Sequence, residues 1–139
     1  MTTAEELYPL VTEAIQRAET LEDLEAPGVH SAYLDVSKLE EKVAELLPAS
    51  DPEGVLARRG AVRAAVAAKE FARARMLAER FLADADLDES SQASIRELVE
   101  QAERSQAARF PKVAEKFGFQ EIHRIAQAFK LQAAPFPIG

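Results

Sequence analysis

Two histidines, a short run of alternating aspartates and a surplus of carboxylates are the groups in this sequence able to hold an ion or move a proton. Asp84, Asp86 and Asp88 share the spacing at which a calcium loop presents its first oxygen ligands. Such a loop also needs glycine at its sixth position and a bidentate acid at its twelfth. Those positions hold Glu89 and Ile95, so the run reads as the acidic start of a helix, where capping and the macrodipole favour carboxylates. His30 and His123 have no partner at the spacing of a zinc site. Gln120 stands three residues before His123, where a di-iron bundle would carry glutamate. His123 is therefore expected on an exposed helix face rather than at a metal.

The absence of cysteine removes disulfides, thiolate metal sites and thiol nucleophiles together. There is no G-x-S-x-G elbow and no glycine-rich phosphate loop, with only 5 glycines in the chain. Carboxylates are plentiful, but no pair stands out as acid and base. The expectation is a protein with no catalytic residue, no metal and no cofactor.

The elements that would carry these residues are helical. Leu7, Leu10, Val11, Ala14, Ile15, Ala18 and Leu21 recur at steps of three and four, one buried stripe. Thr3 and Glu6 have capping-box spacing, yet Pro9 would then fall inside the helix, which predicts a late start near Tyr8 or a kink. Residues 22–34, with Pro27, Gly28 and Ser31, read as a long connection. Ser37 and Glu40 form a second capping-box pattern ahead of Leu39, Val43, Leu46 and Leu47, which predicts a short helix ended by Pro48. Pro52 suits the first turn of the next helix. Beyond it the apolar phase shifts: Val55, Leu56, Val62 and Val66 point one way, and Phe71, Ala74, Ala78, Phe81 and Leu82 centre roughly 100° away. A break near Lys69 and Glu70 repairs the mismatch and predicts helices over 52–67 and 70–84. Ile95, Leu98, Val99 and Ala102 mark a fifth helix. Pro111 to Gly118 and the stripe Ile122, Ile125, Ala126, Phe129 mark two more.

The expected fold is thus all-α, a helical bundle or short helical-hairpin solenoid of six to seven helices. A single domain is expected over residues 1–139, with an extended tail from 131 to 139. Hydrophobic residues make up 47% of the 139, enough for one core. Glu5 and Glu6 stand where a secretory signal would be positive, and no apolar run approaches the roughly 18 residues of a membrane span. A cytoplasmic chain without membrane contact is expected.

Charge is segregated along the chain. Residues 1–53 hold 3 basic and 13 acidic side chains, and residues 54–83 hold 7 and 2. Residues 84–103 hold 1 and 7, and residues 104–139 hold 6 and 2, within a total of −7. Complementary helices pairing inside one bundle would produce this pattern, and so would a basic face offered to a partner. The net negative charge opposes nucleic-acid binding over the whole surface.

Two local resemblances bear on function. Ala65 to Leu82, with Phe71 and Ala74 just past a tight connection, resembles the middle of a tetratricopeptide repeat over about a quarter of the chain. That resemblance implies a helical hairpin of the kind that holds peptides or partner proteins. Val113 to Phe119, with Ile125, Phe129 and Lys130, is similar to the second helix-turn-helix of the arabinose-regulator family. It implies that Gln120, Glu121, His123 and Arg124 approach the DNA groove and that Lys130 lies near phosphate.

Taken together, these features lead to a non-enzymatic protein–protein interaction module, binding another protein or a second copy of itself. Phe117, Phe119, Phe136 and Ile138 are its candidate partner-binding residues, since apolar side chains near an irregular end either close a core or form an exposed patch. A DNA-binding regulator using Gln120, His123, Arg124 and Lys130 is one alternative. A small acidic inhibitor or immunity protein, using the acidic residues 1–53, is another.

Overall fold

Thr3 opens the first helix in the computed structural model, which describes residues 2–109. Its hydroxyl accepts a hydrogen bond from the Glu6 N–H at 3.3 Å, and α1 runs from Ala4–Asp23 with Glu5 and Glu6 in its first turn. The expected late start near Tyr8 is corrected: the helix begins at Ala4 and continues past Pro9. Proline at this point removes the bond to the Glu5 carbonyl, but Pro9 and Glu5 are both exposed, so that carbonyl faces solvent. Leu7 and Val11, either side of it, stay anchored in the core.

The long connection over 22–34 is corrected as well. Leu24 to Gly28 is all that separates α1 from α2, which spans Val29–Leu46 and is a full 18 residues. Ser37 does not cap a helix. It lies within α2, fully buried, where its hydroxyl donates to the Ala61 carbonyl at 2.7 Å. A buried serine satisfied by a neighbouring helix has the same sequence appearance as a cap, which explains the misreading.

α3 covers Pro52–Ala67, with Asp51 accepting from the Glu53 N–H at 2.8 Å, and α4 covers Phe71–Leu82. The predicted break between them is present. α3 ends in a Schellman motif: the Glu70 N–H bonds the Ala65 carbonyl at 2.9 Å and the Lys69 N–H bonds the Val66 carbonyl at 3.0 Å. Lys69 takes a φ of 61° in this turn. Asp88 then accepts from the Ser91 N–H at 3.2 Å at the start of α5, Glu89–Arg109, as the acidic connection predicts.

Five helices and no strand occur among the described residues, so this region is an all-helical bundle. The expected count of six to seven included two helices beyond residue 110, which lie outside the described residues, as does the predicted tail. The chain divides into two units, residues 1–99 and 100–139, and the second is described only along the last part of α5.

Within the first unit α1 packs on α2, α2 on α3 and α3 on α4. One core cluster joins Leu7, Val11, Val43, Val62, Leu77, Phe81, Leu87 and Ile95 with several alanines. Burying a side chain such as Leu77 contributes about 2 kcal/mol. A second cluster is built of Ala14, Ala18, Ala32, Val36 and Ala64. Small residues there carry little hydrophobic signal, which is why the first turns of α2 do not stand out in the sequence. Gly54 marks a close approach, since a Cβ on it would collide with the Pro48 carbonyl oxygen.

Candidate functional site

Charge pairing between α2 and α4 builds the most developed polar site among the described residues. Ser37 and Glu41 are one helical turn apart on α2, and Arg73 and Arg80 are two turns apart on α4. Arg73 donates from Nε to the Ser37 hydroxyl at 3.0 Å and from Nη2 to Glu41 Oε1 at 2.6 Å. Arg80 donates from Nη2 to the other Glu41 oxygen at 2.7 Å. Burial pushes the Glu41 pKa up, but the hydrogen bonds and charges of Arg80 and Arg73 outweigh it and hold the carboxyl below its ordinary value.

Arg58 of α3 is buried and ties down backbone instead. It donates to the Gly54 carbonyl at 2.9 Å and to the Leu47 carbonyl at 3.1 Å, an acceptor just past the last turn of α2. Its guanidinium also lies 5.7 Å from the Phe81 ring centroid, and that of Arg80 lies 5.2 Å away. Arg75 pairs with Glu79 at 3.3 Å along α4. Much of the basic block read from the sequence is therefore satisfied within the chain, and Glu41 of the acidic block holds two members of it.

Hydrogen bonds and opposite charge hold this cluster together. Glu41 is held ionised and doubly hydrogen-bonded, and the Ser37 hydroxyl has no base beside it. Tyr33 donates to Glu22 at 2.9 Å, and burial with that bond pushes its pKa up to about 12. No group of three or more histidine, aspartate or glutamate side chains is placed to hold a metal among the described residues.

The α4 surface also carries an exposed stripe. Arg73, Met76 and Arg80 fall within about 60° of one another around the helix. Met76 is 45% exposed and the Arg80 side chain 45% exposed, while Arg73 is mostly covered at 17%. Among the described residues Arg80 donates only from Nη2 and Arg73 only from Nε and Nη2, which leaves Nη1 of each with donors for a further acceptor. Sequence reasoning missed this stripe, although Met76 falls outside the apolar phase of Phe71, Ala74, Ala78 and Phe81 and was identifiable as a surface residue on that ground.

Phe117, Phe119, Phe136 and Ile138 lie outside the described residues, as do Gln120, Glu121, His123, Arg124 and Lys130. His30 is exposed in the first turn of α2. No described helix is long and apolar enough to cross a membrane. Comparison with protein-family models, curated proteins and solved structures gave no match for this chain.

Proposed function

We propose that the chain is a non-enzymatic protein-interaction module that receives an acidic, partly apolar segment of a partner along the Arg73, Met76 and Arg80 stripe of α4. The observation that carries this reading is Met76, a large apolar side chain left 45% exposed between two arginines that Glu41 holds in place. Methionine adapts to varied apolar partners, and arginine is enriched where interfaces form. Holding the arginines in one geometry beforehand lowers the ordering cost of binding.

A photo-crosslinking residue at position 76 tests it, with position 56 as control, because Leu56 is 55% exposed on α3. Position 76 is expected to give a discrete adduct with another polypeptide, which raised salt diminishes. Equal capture from positions 56 and 76, indifferent to salt, overturns the reading.

A second reading, an acidic inhibitor that covers a basic surface, draws on α1. Glu5, Glu6, Glu13, Glu19 and Asp23 are all exposed there, and none forms an ion pair among the described residues. Neutralising them would abolish binding to a basic partner under this reading. Binding to a basic partner that survives their neutralisation removes this reading.

A further inference from the structure

The same chain carries a stripe complementary to the one on α4. On α1, Glu6, Leu10 and Glu13 fall within about 60° of one another, with Leu10 48% exposed between two exposed acids. Neither Glu6 nor Glu13 forms an ion pair among the described residues. The α1 stripe runs acid, leucine, acid at steps of four and three. The α4 stripe runs arginine, methionine, arginine at steps of three and four.

We infer that the partner of the α4 stripe is a second copy of this chain, which lays its α1 antiparallel along it: Glu6 against Arg80, Leu10 against Met76 and Glu13 against Arg73. This rests on the reading of α4 as a contact face and names what occupies it. The direction follows from register. Both stripes span eight residues, seven steps and about 10 Å of helix. Run antiparallel, the steps of four and three meet their mirror image and both apolar centres coincide. Run parallel, Leu10 falls at the level of Leu77, which is fully buried.

Charge points the same way. Within α1, Glu5, Glu6, Glu13, Glu19, Glu22 and Asp23 outnumber the single Arg17, whereas residues 54–83 hold 7 basic and 2 acidic side chains. The donors on Nη1 of Arg73 and Arg80 let each arginine take a second carboxylate without releasing Glu41. Between two exposed apolar residues, the acids and arginines set register and direction, and the leucine–methionine contact excludes water.

Sedimentation equilibrium of the full chain over a wide range of concentration is the test. The wild type is expected to gain mass with concentration, less so at high salt. Leu10→Glu and Met76→Lys each alter one exposed residue at the centre of a stripe, so their thermal midpoints should hold while association weakens at least about tenfold. Mixing the two variants restores association, because the new glutamate of one meets the new lysine of the other. A wild type that stays monomeric overturns the inference, as does a mixture no more associated than its parts. Should the wild type be monomeric while position 76 still captures a different protein, the contact-face reading stands and the second copy alone is excluded.

Discussion

On α2, Glu40 leans across Gly60 of α3 while its neighbour Glu41 reaches two arginines of α4, so one helix sets adjacent carboxyls into two different seams. The Glu40 carboxylate fills the space that a Cβ on Gly60 would need, and no hydrogen bond to it forms among the described residues. Burial pushes its pKa up to about 7, with Arg63 pulling weakly the other way. Glu41 is covered too, yet its donors reverse the direction of the shift. Burial alone therefore does not decide what a carboxyl contributes; the donors that meet it do.

Removing the donor-rich side of this contrast should have the larger effect. Glu41→Gln keeps the shape but leaves Arg73 and Arg80 facing each other without a counter-charge. A loss of about 2 kcal/mol at neutral pH is expected from urea unfolding. The pH dependence has a definite sign. A carboxyl held low in the folded state stabilises above its unfolded pKa, and that stability disappears as pH falls through the folded value. The wild type should thus lose stability in acid while the variant lacks that limb. A loss under about 0.5 kcal/mol would show that the cluster behaves as an ordinary exposed pair.

The donor-poor side predicts the opposite sign. Glu40 binds its proton more tightly folded than unfolded, so its stabilising effect is full below pH 4.5 and is lost as pH rises through about 7. Glu40→Gln should accordingly gain about 1 kcal/mol over the wild type at pH 8, discounted for partial exposure, with the difference shrinking towards pH 5. Gly60→Ala offers a second handle, since the added methyl meets the flexible end of Glu40 and turns the carboxyl into water. Parallel stability profiles for wild type and Glu40→Gln across this range would remove Glu40 from the account.

These two seams also show what the sequence can and cannot convey. The turn between α3 and α4 was legible because the apolar phase must jump where the chain folds back, and the jump falls at Lys69. α2 was misread over its first half because Ala32 and Val36 make a thin stripe and because Ser37 and Glu40 imitate a capping box. Both residues in fact face the neighbouring helix α3, Ser37 through the Ala61 carbonyl and Glu40 across Gly60. The basic block was visible as charge, but its partner was not. Glu41 lies 32 residues from Arg73 and 39 from Arg80, a separation that no local period encodes. Met76 was legible as exposed, and the arginines beside it as basic; their arrangement by Glu41 needed the fold.

The smallest expected effect tests whether the α2–α4 seam depends on side chains alone or on the turn that returns α4 to α2. Lys69 sits at the left-handed position of the Schellman motif, where its Cβ is disfavoured by about 1 kcal/mol relative to glycine. Glycine removes that strain but gives the unfolded chain more freedom, which offsets part of the gain. Lys69→Gly should therefore stabilise by roughly 0.5 kcal/mol, seen as a higher urea midpoint with an unchanged slope. Glu25→Gly, in the matching turn after α1 with a φ of 50°, should behave alike. If the backbone turn sets the approach of α4, the cost of Glu41→Gln will be the same with lysine or glycine at 69, because the two sites then add independently. A cost that changes with residue 69 would mean that the Glu41–Arg73–Arg80 cluster itself pulls the hairpin closed.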